Sequence, residues 1–141
     1  QSEDIECWLR IALTTQWQFA GIEGDLTLYR VNAGGLSAAT DLQLAAWERM
    51  VAKLSMIAPE FFAKTGKAAR AYQLRYLARR AISDKDTGRA MDLLTQSLAQ
   101  SWRPLWEEHR KSGITIAAAL VLRFAGPLAL DVLMARRGAK A

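Results

Sequence analysis

Residues 67–100 read KAARAYQLRYLARRAISDKDTGRAMDLLTQSLAQ, and the reading of this stretch decides the fold class. Ala71, Leu74, Ala78 and Ala81 recur at three- and four-residue intervals, which places them on one face of a helix over 67–82. Ser83-Asp84-Lys85-Asp86 is a polar run that predicts a turn. Ala90, Leu94 and Leu98 repeat the helical spacing over 87–100. Two helices joined by a short turn, with alanines where they meet, are built as tetratricopeptide-like pairs are. One such unit is visible and stacked repeats need about three, so the prediction is a helical hairpin inside a small bundle.

The helical pattern extends outward on both sides. Upstream, Thr40 or Asp41 is predicted to cap a long helix through about Ala58, with Leu44, Trp47, Val51 and Leu54 on its apolar face and Ile57 near its end. Pro59 either breaks this helix or opens a short successor holding Phe61 and Phe62. Downstream, Pro104 sits in a break at 102–106, residues 104–111 suit a short helix, and Ile114–Met134 is apolar apart from Thr115, Arg123 and Asp131. Gly126-Pro127 bends or divides that last segment. Residues 2–14 also read as a helix, capped by Ser2, with Glu3, Asp4 and Glu6 in a first turn that favours acids. Only Gln16–Val31 leans toward strand, through Trp17, Phe19, Ile22, Leu26, Leu28 and Tyr29, and a loop at 32–35 follows it. The predicted fold class is mainly α: a helical bundle with a short β element near the N-terminus.

Composition narrows the chemistry. The chain of 141 residues is 51% hydrophobic and 23% charged, enough for one domain, or one domain and part of another. The one cysteine, Cys7, excludes an internal disulfide, and with the one histidine, His109, it leaves no ligand set for structural zinc. Nothing at the acidic N-terminus reads as a signal peptide. The net charge of +5 is uneven: residues 1–70 carry seven Lys/Arg against eight Asp/Glu, and residues 71–141 carry twelve against six. A basic half suits a polyanion or an anionic membrane surface, and it also suits an arginine-rich solvated helix surface. No nucleic-acid-binding motif is present. Ile114–Met134 has the length of a membrane span, but Arg123, Asp131 and Gly126-Pro127 argue for a buried helix or helix pair. The alternative is an interfacial helix with Arg136, Arg137 and Lys140 facing anionic lipid.

The first thirty-seven residues carry the chemical signal. Glu3-Asp4-Ile5-Glu6-Cys7-Trp8-Leu9-Arg10 is followed by Leu26-Thr27-Leu28-Tyr29-Arg30-Val31-Asn32 and then Ser37. This resembles the end of the catalytic domain of family 2 glycosyltransferases, inverting enzymes of the GT-A fold. There a Glu-Asp-x-Asp/Glu-x-Trp-Leu-Arg helix precedes a strand ending in Leu-x-x-Tyr-Arg-x-His and a nearby Ser. The first element matches at every defined position, and the second at Leu26, Tyr29, Arg30 and Ser37. Asn32 stands where the family has histidine, so no imidazole is there to approach a metal or diphosphate.

The resemblance covers roughly the first quarter of the chain. It implies that residues 1–38 are the tail of a catalytic domain and residues 39–141 a helical extension. It makes Asp4 the general base and Glu3 a residue that shapes the site or hydrogen-bonds the acceptor. It places Arg30 and Asn32 at the substrate, where Arg30 either neutralises the leaving diphosphate or pairs with a carboxylate of the fold. The donor nucleotide-sugar, with Mg²⁺ or Mn²⁺ on its diphosphate, would belong to a missing N-terminal half. No cofactor is expected in this chain itself, since Asp84-Lys85-Asp86 matches Asp-x-Asp in letters only and capping explains both acids. The implied protein is an inactive C-terminal fragment whose partners are that missing half and a saccharide or lipid-linked acceptor, without nucleic acid. Its implied setting is bacterial surface polysaccharide synthesis, in the cytoplasm or peripherally at the inner face of the cell membrane.

The rival expectation is a self-contained helical interaction module without catalysis. Two features separate them: whether Asp4 and Arg30 converge on a polar cleft, and whether an apolar face is left open. The remaining residues have plainer readings. Arg10 is an ion-pair or surface residue, Tyr29 packs, Cys7 is a half-buried thiol, and His109 lies on a solvated face. Trp8 and Trp47 are expected in the core. Trp102 and Trp106, i and i+4, either cover a helix contact or form an exposed aromatic pair.

Overall fold

The computed structural model describes residues 3–24 and 39–138. The chain divides into two compact units, residues 1–66 and 67–141. Seven helices are seen among the described residues: α1 (Glu3–Thr14), α2 (Thr40–Ile57), α3 (Pro59–Ser83), α4 (Thr87–Gln100), α5 (Arg103–Glu107), α6 (His109–Phe124) and α7 (Gly126–Gly138). The mainly helical class read from the sequence therefore holds.

The expected β element is not seen among the described residues. Residues 17–24 are irregular, with Gly24 at φ 102°, and 25–31 lie outside the described part. A strand needs a neighbour for its N–H and C=O groups, and none of the described segments offers one. The aromatic and β-branched residues at 17–22 instead leave their side chains largely exposed.

In the N-terminal unit α1 packs on α2. Neither Thr40 nor Asp41 caps α2: Ala39 holds the N-cap position with no side-chain bond, and Asp41 lies in the first turn, where its charge suits the helix dipole. Met50 and Leu54 are the buried residues of α2. α2 ends at Ile57 and Pro59 opens a new helix, as expected, but that successor is not short. Residues 59–83 form one helix of 25 residues, so the separate helices expected near 61 and over 67–82 are continuous. Proline at the first position removes an N–H that would have no partner anyway, and Gly66 costs a helix interior only about 1 kcal/mol.

The C-terminal unit bears out the hairpin at 67–100. α3 ends in a Schellman motif: Asp86 N–H donates to Ala81 O at 2.9 Å and Lys85 N–H to Ile82 O at 3.1 Å, with Lys85 at φ 61°. Asp86 then caps α4, its Oδ1 accepting from Arg89 N–H at 2.9 Å. The Ser97 hydroxyl donates to Ala71 O at 2.7 Å and ties α4 back onto α3. Ala71, Leu74, Leu77, Ala78, Ala90 and Leu93 are completely buried. Each leucine so placed contributes about 1.5–3 kcal/mol over its exposed state.

A second helix pair follows. α5 packs on α6, α4 on α6, and α6 on α7. The chain turns from α6 to α7 at Gly126, φ 81°, with Pro127 just inside the new helix. The bend expected at Gly126-Pro127 is thus a true helix boundary. This pair is only partly buried: Ala118, Ala119, Leu122 and Leu130 face inward, while Phe124 and Leu128 are 82% and 81% exposed. No helix among the described residues is long and apolar enough to cross a membrane.

Candidate functional site

All of the Glu3–Arg10 motif falls on α1. Asp4 lies in the first turn, exposed, and its Oδ1 accepts from the Ile5 N–H at 2.9 Å. Glu6, two residues on, is engaged differently. Lys53 Nζ of α2 donates to its Oε1 at 2.8 Å and Arg10 Nε approaches the same oxygen at 3.4 Å. Lys53 above all, with Arg10 beside it, holds the Glu6 carboxyl below the usual carboxylate range. The expected ion-pair role of Arg10 is therefore seen. The two acids of α1 that the structure describes in full are unlike: one is locked between cations and the other faces solvent at a helix N-terminus.

The apolar residues of this region are open. Trp8 is 59% exposed and stacks on Phe19, ring centroids 5.4 Å apart at 15°. The expectation that Trp8 belongs to the core is corrected, because α1 turns that position outward; Trp47 is half-buried. Ile5, Trp17 and Ile22 are exposed as well. Cys7 is half-buried, as read. Arg30 and Asn32 lie outside the described residues, as does the side chain of Glu3, so their relation to Asp4 is not part of the geometry.

A second polar cluster, in the C-terminal unit, escaped the sequence reading. Arg75 of α3 is 8% exposed. Its Nη2 pairs with Glu108, and its Nη1 donates to Ser112 Oγ at 2.6 Å and more distantly to Pro104 O at 3.5 Å. The Ser112 hydroxyl in turn donates to Pro104 O. Tyr72, one turn back, donates to Glu107 and lies under the Arg75 guanidinium, 5.3 Å from ring centre to Cζ. Arg103 completes the set by pairing with Glu107 at 2.7 Å, and Lys111 pairs with Glu108 at 2.6 Å. Lys111 first, then Arg75, hold the Glu108 carboxyl down to about 2. Burial, together with the Glu107 carboxylate, pushes the Tyr72 hydroxyl up to about 12. These groups pair with one another, with Arg75 Nε left without an acceptor, and they clamp α3, α5 and α6, which is structural work. The usable signal was the spacing Tyr72–Arg75 against Glu107-Glu108, legible only once the break at Pro104 is known to bring them together.

Other expectations resolve simply. His109 is exposed at the start of α6, and Trp102 and Trp106 are 61% and 79% exposed, so they form no helix cover. Asp86 is a cap, as read. Among the described residues no group of three or more His, Cys, Asp or Glu is placed to hold a metal, so no metal step is assigned to them. Comparison with protein-family models, with curated proteins and with solved structures gave no match.

Proposed function

We propose that this chain is the C-terminal part of an inverting glycosyltransferase of family 2, in which Asp4 is the general base. The acceptor oxygen attacks the anomeric carbon of the donor sugar, the bond to the nucleoside diphosphate breaks, and Asp4 takes the acceptor's proton. The observation that carries this reading is the contrast on α1: Lys53 and Arg10 engage Glu6 while the Asp4 carboxylate stays exposed in the first turn. A base must reach its proton directly, and of these two acids only Asp4 is open to an acceptor. The exposed Trp8–Phe19 stack and Trp17 supply an apolar surface of the kind a packed donor-binding half requires. Glu3, Arg30 and Asn32 keep the roles the resemblance gives them: shaping the acceptor site, and meeting the diphosphate or sugar. Residues 39–141 serve as the helical extension beside that site. The acceptor is a saccharide or lipid-linked saccharide of surface polysaccharide synthesis, and the enzyme works in the cytoplasm or at the inner face of the membrane.

The test begins with the coding sequence upstream of Gln1. The reading expects an α/β half with an Asp-x-Asp element; an initiation codon directly before Gln1 would end it. In the full-length enzyme, Asp4→Asn is expected to lower kcat by about 10²- to 10⁴-fold, the usual worth of a positioned base, with donor KM nearly unchanged. An Asp4→Asn enzyme with full turnover would refute the assignment.

One observation favours the second reading, a helical interaction module. Phe124 and Leu128, at the corner between α6 and α7, are bare apolar side chains, and Val132 and Leu133 of α7 are exposed as well. If that reading holds, Phe124→Ser abolishes partner capture and Asp4→Asn leaves it intact.

A further inference from the structure

The C-terminal unit contains a cavity of about 330 Å³, open to solvent on one side and lined by α3 and α6. It lies one helical turn beyond the Arg75–Ser112 hydrogen bond, on the same seam. Tyr76, Arg79 and Arg80 form its polar wall, spaced three and four residues apart so that one face of α3 presents all of them. Ile82, Ile114 and Ala118 form the apolar wall. No carboxylate lines it.

The two arginines are unlike their neighbours. Arg75, Arg89 and Arg103 each pair with an acid of this unit. Neither Arg79 nor Arg80 has an acidic partner among the described residues. Guanidinium donors that face a cavity without a carboxylate are left to water, and an anion in the cavity can take them with charge-assisted hydrogen bonds. The unit around it is strongly basic, with fourteen Lys/Arg against six Asp/Glu over residues 67–141, so its field draws anions in.

The ligand's chemistry follows from the donor count. Two guanidiniums present about ten N–H donors. The hydroxyls of Ser83 and Thr115, also at the cavity, already donate to Arg79 O and Lys111 O, so they add no further donor. A carboxylate brings two oxygens to this excess of donors, whereas a phosphate monoester brings three and up to two charges. The apolar wall suits a short hydrocarbon or aromatic group on the ester. The volume lies at the lower end of small-molecule sites, roughly 300–1,000 Å³, and a concave pocket suits a detached molecule rather than a bilayer.

We propose that the cavity between α3 and α6 binds a small organic phosphate ester, its phosphate held by Arg79 and Arg80 and its apolar group against Ile82, Ile114 and Ala118. This stands on the C-terminal unit alone and is independent of the glycosyltransferase reading.

Titration calorimetry of the 141-residue chain with hexyl phosphate, at pH 7.5 and low salt, tests it. Saturable one-to-one binding is expected, at least about tenfold tighter than inorganic phosphate, with none for hexanol. Arg79→Gln and Arg80→Gln are each expected to weaken binding about tenfold or more. Arg79 is exposed, so its variant keeps the fold, checked by circular dichroism, and decides the matter if Arg80→Gln does not fold. Affinity should also fall between pH 7 and 5, as the ester dianion takes up a proton near pH 6 and becomes a monoanion. Four results overturn the proposal: no saturable binding, equal binding of hexanol, equal binding by both variants and the parent chain, or tighter binding of hexaglutamate. Retention by phosphatidic-acid vesicles without hexyl phosphate binding would assign the arginines to a membrane surface and likewise overturn it.

Discussion

Arg75 is nearly buried, and a guanidinium at that depth is tolerated only if its donors find acceptors. Glu108, Ser112 and Pro104 supply them to both Nη groups, leaving only Nε without one, so the residue acts as the knot of the C-terminal unit. The linkage has a definite sign. The Glu108 carboxyl titrates near 4.5 when free and at about 2 in the folded chain. Its contribution to stability is therefore complete above pH 4.5 and is lost as the pH falls from 4.5 toward 2. Glu108→Gln removes the charge at all pH values. The melting temperatures of the parent and Glu108→Gln chains are expected to differ at pH 6 and to converge by about pH 2, as followed by circular dichroism. Tyr72 runs the other way. Its neutral form is favoured in the folded chain, so its contribution is present below pH 10 and is lost as the pH rises through about 12. The phenolate absorbance of the parent chain is expected to include one tyrosine titrating near 12, absent in Tyr72→Phe. Asp4 shows how a residue can be legible in identity and not in role. Its first-turn place on a helix was readable from Ser2-Glu3-Asp4, but the engagement of Glu6 by Lys53, 47 positions away, was not.

At the scale of elements, the turn between α6 and α7 rests on one backbone angle. Gly126 sits at φ 81°, and a Cβ there would meet nothing within 4 Å, so space is not the constraint. A side chain in the left-handed region costs about 1–2 kcal/mol. Gly126→Ala is expected to destabilise the chain by that amount in urea unfolding. Gly113→Ala, inside α6 with equally open space and no such angle, is expected to stabilise by about 0.5–1 kcal/mol. The same distinction explains what the sequence revealed. The α3–α4 hairpin was readable because Ala71, Leu74, Ala78 and Ala81 keep one period without interruption and Asp86 is a strong cap. The single helix at 59–83 was not, since Pro59 and Gly66 carry opposite meanings at a helix start and in its interior. The strand expected from Gln16 to Val31 rested on propensity, which did not suffice over residues 17–24, where no described strand completes the hydrogen bonds.

At the scale of the molecule, the two units differ in charge and in how their interiors are made. The C-terminal unit has its own core in Leu74, Leu77, Leu93 and Leu122, with the Arg75 clamp beside it. The chain from Pro59 onward, which keeps α3 whole, is expected to fold alone and to melt in one cooperative step. A featureless, non-cooperative melt would show that residues 1–58 are required. The buried apolar residues described include seven alanines, Ala68, Ala71, Ala78, Ala81, Ala90, Ala118 and Ala119, set among as many leucines. An alanine has no rotamer to lose and no long side chain to misfit, so helices meeting through methyl groups enclose little empty space. Hydrostatic pressure unfolds proteins largely by eliminating such internal voids. The cavity between α3 and α6 opens to water and adds nothing to that total. The volume lost on unfolding is then expected toward the small end of the roughly 20–100 mL/mol range, and compression is expected to melt this chain later than a bundle of similar stability with larger internal voids.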